Sequence, residues 1–205
     1  ILHKNNFYRL IPVVISIFFF MFILFVVFSL LYYTSINSFY SLSKNSAILQ
    51  TVLVSLQTSF AASTLAVLFG LPVAYTFSMY SFPGKKYLET LLDMPLVMPP
   101  LVAGMALLIF FSNDAPIGKV LADSGFKIIF TKKGIIIAQF FVASPFFIKA
   151  AKSSMDSIPK NILLAARTLG ASSTFTFTNV ILPLIKPGII GGFIMTWARA
   201  MAEFG

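Results

Sequence analysis

Few residues of this sequence could do chemistry, and they sit in stretches otherwise almost free of charge. Arg199 and Glu203 stand four residues apart near the end of an apolar run, and Glu89 and Asp93 have the same spacing at the start of another. On a helix each pair shares a face. At about 1.5 Å per residue, Arg199 lies on the order of 24 Å along a helix from Pro183, a depth at which a charge faces protein or water rather than lipid. Arg199 and Glu203 therefore form either an ion pair satisfied against a neighbouring helix or part of a gate or translocation pathway. The second reading is favoured, because arginine before glutamate is the weaker order for an intrahelical pair. Glu89 and Asp93 read as solvated charges at a helix end, with a proton relay as the alternative. Pro95, Pro99 and Pro100 remove backbone donors and leave carbonyls unpaired, so the helix that holds them is expected to be bent or broken, either as a packing kink or as part of the pathway.

Other chemistry is missing. The sequence has no G-x-x-x-x-G-K-[ST] phosphate loop and no group of His, Asp and Glu with metal-ligand spacing. It has no cysteine, so it carries neither a disulfide nor a thiol nucleophile, and its redox compartment is unmarked. The single histidine, His3, lies near the terminus and reads as solvated. No catalytic, cofactor or metal site is expected in this chain, and energy for any transport must come from a partner subunit or an ion gradient.

The elements that position these residues are membrane helices. The chain of 205 residues is 58% hydrophobic and only 10% charged, far below the roughly 25% charge of soluble domains. Its excess of basic residues, 15 against 6 acidic, suits orientation in a bilayer better than nucleic-acid binding. A helix needs about 20 apolar residues to cross the hydrocarbon core. Spans are accordingly expected over about 10–33, 47–80, 88–111, 134–151 and 187–205, as one membrane domain with both ends apparently cut. The first span is too long for a signal peptide and lacks a cleavage site. The second is expected as one helix kinked near Pro72 rather than two turning at Gly70-Leu71-Pro72. Counting with the N-terminus inside puts Lys4, Arg9, Lys85, Lys86, Lys149, Lys152, Lys160 and Arg167 on the cytoplasmic side and Lys44, Lys119, Lys127, Lys132 and Lys133 outside. The outer segment from Ser112 to Lys133 is expected to be an ordered, hairpin-like loop.

Between the fourth and fifth spans lies LAARTLGASSTFTFTNVILP, residues 164–183. Pro159 can open a helix, and Ile162, Ala165, Ala166 and Leu169 fall on one face of it. Lys160, Leu164 and Arg167 share another. Gly170 is a helix stop, Ser172 or Ser173 caps a second short helix, and Pro183 is expected to end that helix before the next span. The two alanines allow close approach by another surface. A docking element and a connector lying on lipid headgroups both fit this pattern.

The spacing Ala165-Ala166, three residues, Gly170, nine residues, Val180, one residue, Leu182-Pro183 resembles the cytoplasmic "EAA" signature of ABC importer permeases, with Leu164 in place of the family Glu and Val180 in place of Ile. LLDMPLVMPPLVAG (91–104), FVASPFFIKAA (141–151), AARTLGAS (165–172) and ARAMAEFG (198–205) are similar to permeases of molybdate and tungstate importers, with sulfate permeases next. The resemblance implies an all-α integral membrane fold of the type I ABC importer kind, about five spans here, and a cytoplasmic coupling region over about 157–182. It assigns Ala165, Ala166, Arg167, Gly170, Leu182 and Pro183 to coupling with a separate ATPase subunit that holds ATP and Mg. It further implies a homodimer in a prokaryotic cell membrane and an extracytoplasmic oxyanion-binding protein. A sulfate or thiosulfate permease is the alternative within the family, and an ion-coupled secondary transporter the alternative outside it.

Overall fold

The prolines and glycines of this chain set where its helices begin, bend and cross. A computed structural model describes residues 6–33 and 45–203, with side chains from Ile11 onward. His3, Lys4, Lys44 and the last two residues lie outside the described residues, and no side-chain placement is given for Arg9. Among the described residues all regular structure is helical: α1 (Asn6–Tyr33), α2 (Ser46–Met79), α3 (Lys85–Val97), α4 (Pro100–Phe110), α5 (Pro116–Asp123), α6 (Lys132–Asp156), α7 (Lys160–Thr168), α8 (Ser173–Thr176), a π-helical turn (Phe177–Ile181) and α9 (Leu182–Met201). Four helical segments are long and apolar enough to cross a membrane, and the α3–α4 pair makes a fifth if it counts as one broken span.

The chain forms two units, Ile1–Val52 and Leu53–Gly205. In the first, the apolar stretch Ile11–Tyr32 of α1 has none of its residues buried, as expected of a helix whose solvent is lipid. In the second, small residues let three long helices approach. Ala62, Ala66, Gly70 and Ala74 recur every four residues on α2 and are all buried. Gly188, Gly192, Thr196 and Ala200 repeat the spacing on α9. Such stripes bring helix backbones together where lipid supplies no hydrophobic drive. Phe147, fully buried at the centre of α6, packs with Ala66, Ala74, Ala151, Met155 and Ile185. At Gly188 the approach is absolute, because a Cβ there would lie 1.7 Å from the Ser154 Oγ.

Several expected boundaries move. Helix α2 runs unbroken through Pro72, so the one-helix expectation holds. The third span is two helices meeting at 112°. A residue before proline is pushed into extended conformations. Met98 and Pro99 each precede a proline and have ψ of 132° and 139°, which breaks the helix there. Pro95 instead lies buried inside α3. The segment from Ser112 to Lys133 contains the short helix α5 rather than only a hairpin-like loop. Helix α6 extends to Asp156, beyond the expected end at 151, and carries Lys149 and Lys152 on helical turns.

The largest correction concerns Pro183. It does not end the second short helix. It is the second residue of α9 and directly follows the π turn, in which the Leu182 N–H reaches back to the Phe177 carbonyl, so that α8, the π turn and α9 run as one segment from Ser173 to Met201. Pro187 lies inside that helix rather than at its start, and the helix stops at Met201 instead of running to Gly205.

Candidate functional site

The coupling signature is built as a helix-stop motif. Helix α7 ends at Thr168 with Leu169 as its cap, and Gly170 follows with φ of 76°, the left-handed conformation that glycine adopts without steric cost. The Ala171 N–H donates to the Ala166 carbonyl at 3.0 Å and the Gly170 N–H to the Arg167 carbonyl at 3.0 Å. These paired bonds satisfy the carbonyls that a helix end leaves open and define a Schellman turn. The alanine and glycine of the signature are thus bonded through one turn. Ser172 then caps α8, its Oγ accepting from the Phe175 N–H at 3.2 Å.

Which face of α7 packs differs from the expectation. Ile162, Leu163 and Ala166 are half-buried, and the first two rest against the core that includes Met155, Ile158 and Ile181. Ala165 points outward and Leu169 is 86% exposed, so neither lies on the packed face. The competing demand is the position of Ile158 and Ile181, both buried at the two ends of the connection, which turns the Ile162–Leu163 edge of α7 inward. Leu164, at the position of the family Glu, is 60% exposed. Arg167 is exposed as well. Leu182 is half-buried and Pro183 exposed where α9 begins, separated from the Ala165–Gly170 turn by α8 and the π turn. The edge of the Phe177 ring packs on Tyr75 with centroids 5.0 Å apart, tying the π turn to α2.

At the far end of α9 the two intramembrane charges meet. Arg199 donates from Nη1 to the Glu203 Oε2 at 2.6 Å, with side chains 26% and 7% exposed. The neighbouring backbone is held from two sides. Gln139 on α6 donates from Nε2 to the Ala200 carbonyl at 3.1 Å, and the Trp197 indole donates to the Ser59 Oγ on α2 at 3.0 Å. Gln139 is seven residues into α6 from Lys132, which puts the Arg199 level roughly 10 Å from that end of the helix. The charge pair is therefore nearer the α5 side of the membrane than the α7 side.

Glu89 and Asp93 are not solvated charges alone. Asp93 pairs with Lys149 at 2.7 Å, and Lys152 reaches Glu89 at 3.6 Å and Asp156 at 2.8 Å. Ser78 on α2 donates to Asp156 at 2.6 Å. The network ties α3 to α6, and α6 to the end of α2, beside a cavity of about 330 Å³. Charge counting along the sequence places Lys149 and Lys152 on a membrane side but gives them no partners. Their i, i+3 spacing opposite the i, i+4 acids was the available signal. Pairs this exposed contribute roughly 0.2–1 kcal/mol. Asp93→Lys should lower the unfolding midpoint by up to about 4 °C, and adding Lys149→Asp should recover it. A double variant no more stable than the single would show that the pair is not coupled.

Among the described residues no group of three His, Cys, Asp or Glu is placed to hold a metal. Pro99 and Pro100 are exposed at the α3–α4 break, and Pro95 is buried away from it, so the three prolines do not line one surface.

A bundle of small-residue helices with a broken span, an outward-facing helix-turn-helix between two spans and a half-buried Arg199–Glu203 pair is the architecture of a multi-pass membrane subunit. Residues 66–205 match the binding-protein-dependent transport system inner membrane component, and the chain belongs to this family of ABC importer permeases. It is 39% identical over 158 residues to the molybdate/tungstate transport system permease protein WtpB of Thermococcus kodakarensis, covering 77% of this chain and 59% of that protein. It is 35% identical over 153 residues to the probable sulfate transport system permease protein cysT of Chlorella vulgaris, covering 75% and 58%. The chain thus spans less than two thirds of the length of these relatives. A crystal structure of a bacterial alginate ABC transporter in complex with an alginate pentasaccharide-bound periplasmic protein has the same fold, with a TM-score of 0.62 at 17% identity, covering 93% of this chain and 70% of that one.

Proposed function

We propose that this chain is the permease subunit of an ATP-driven importer for molybdate or tungstate, working as a homodimer with a separate ATPase subunit that binds ATP and Mg and with an extracytoplasmic oxyanion-binding protein. The observation that carries the coupling role is the outward face of α7, where Leu164, Ala165 and Leu169 stand exposed on a rigid Schellman turn. A connector resting on its own protein would bury them. Ala165, Ala166, Arg167 and Gly170 belong to the docking turn, and Leu182 and Pro183 begin the span that carries motion inward. The N-terminus is cytoplasmic in this reading, as the lysine and arginine distribution favours. Arg199 and Glu203 belong to the pathway, and Pro99 and Pro100 allow the broken span to move beside it.

The molybdate or tungstate choice is supported by the name of the Thermococcus kodakarensis relative, and sulfate is the second reading because the probable sulfate permease of Chlorella vulgaris is nearly as similar. All three substrates are tetrahedral dianions, so transport must decide. The full-length protein, reconstituted with its ATPase and binding protein, should accumulate labelled molybdate on addition of ATP. Excess tungstate should block this uptake and equal sulfate should not. Block by sulfate alone would move the substrate to the second reading, and uptake driven by an ion gradient without ATP would overturn the importer reading itself.

A further inference from the structure

The segment between α4 and α6 holds a feature that transport does not explain. Phe130 is the non-glycine residue with positive φ among the described residues, at 56°, and its side chain is 97% exposed. A left-handed backbone is unfavourable for an aromatic residue, and strain of this kind persists where the surroundings hold it. Here Thr131 holds it, capping α6 by accepting from the Gly134 N–H and donating to the Ile128 carbonyl at 2.7 Å. Phe126 is half-exposed, with the Lys133 Nζ 3.7 Å from its ring centroid. Lys127, Lys132 and Lys133 are all exposed within the same short segment.

The position of this cluster decides what covers it. Lys132 is the first residue of a membrane-crossing helix, and Phe130 lies two residues before it, at most about 7 Å away along the chain. The headgroup layer of a bilayer is about 5–7 Å thick on each side. Phe130 is therefore placed at headgroup depth by the helix that follows it. Aromatic rings and lysines concentrate at that depth, the ring meeting the upper acyl chains and the ammonium groups the phosphates.

We propose that residues 126–133 are a lipid-headgroup anchor, in which Phe126 and Phe130 insert at the bilayer boundary and Lys127, Lys132 and Lys133 bind lipid phosphates. The anchor depends on α6 crossing the membrane and not on the transported anion. Bound in this way, the segment fixes the start of α6 at the bilayer boundary.

The test uses the full-length protein on a cysteine-free background, in nanodiscs of phosphatidylethanolamine and phosphatidylglycerol. Nitroxide labels are placed at Phe130→Cys, Phe126→Cys and Ser124→Cys. Oxygen collisions should exceed those of a water-soluble nickel chelate at 126 and 130, and the order should reverse at 124. The label at 126 gives this reading without disturbing the strained backbone. Replacing Lys127, Lys132 and Lys133 by Glu should raise nickel access at 126 at least severalfold. Nickel access at 126 and 130 equal to that at 124 would overturn the anchor. So would protection that appears only when an extracytoplasmic binding protein is added, which would make the cluster a protein-docking surface instead, and so would an unchanged reading in the triple Glu variant.

Discussion

Leu169→Asp should reduce association of this membrane subunit with the proposed ATPase subunit by roughly ten- to a hundredfold while leaving the membrane fold at its wild-type melting temperature. The magnitude follows from burial. Leu169 is 86% exposed in the isolated chain, so nothing in the fold depends on it. Burying a leucine in a partner surface contributes about 1.5–3 kcal/mol, and every 1.4 kcal/mol is tenfold in affinity. Gly170→Val tests the same surface through the backbone. Space around Gly170 is open, but a β-branched residue at φ 76° is strained by roughly 1–2 kcal/mol. The Schellman bonds from Gly170 and Ala171 should loosen and misdirect Leu164 and Leu169 together. Co-purification with the ATPase and substrate-stimulated hydrolysis report both variants. If both remain at wild-type levels, the outward face of α7 is not the coupling surface.

The sequence made the coupling turn readable because its punctuation is local. Pro159, Gly170 and Ser172 each act on the backbone next to them, and each behaves as its type dictates. The prolines at 99 and 100 are legible for the same reason, since the conformation they forbid is that of the preceding residue. What failed depends on distant parts of the chain. A proline ends many helices, yet Pro183 is accommodated within one, directly after the π turn that precedes it. The packed face of α7 could not be chosen by periodicity, because Ile162, Leu163, Ala166 and Leu169 are all apolar. The choice lies in where Ile158 and Ile181 are buried. In lipid, outward and inward positions of a span are equally apolar, so hydropathy gives the spans but not their faces. The four-residue recurrence of alanine and glycine on α2 and α9 carries that information, and it is visible in the sequence to a reader who looks for close approach rather than for hydrophobicity.

Arg199→Gln should lower uptake of the anion about fivefold or more without loss of folded protein or of basal ATP hydrolysis. Two unit charges 4 Å apart at an effective dielectric of 20 interact by about 4 kcal/mol, and retaining a quarter of that for one charge of the anion gives the stated factor. The reduction to a quarter reflects Glu203, whose carboxylate lies 2.6 Å from the guanidinium and is itself 7% exposed. An anion crossing the membrane gains from a fixed positive charge, yet an unmoderated one would hold it. Glu203→Gln should accordingly act in the opposite sense, with a lower KM and a lower kcat together, as tighter retention slows release. The level of the pair supports this division. The Gln139–Ala200 bond places it roughly 10 Å from the Lys132 end of α6, which is the outer side in the proposed orientation. A structural ion pair would behave differently. Removing one partner would leave the other charge buried and unpaired, so both single variants would lose folded protein in parallel. If they do, and if Arg199→Leu with Glu203→Leu restores both folding and normal uptake, the pair serves packing and the anion passes elsewhere.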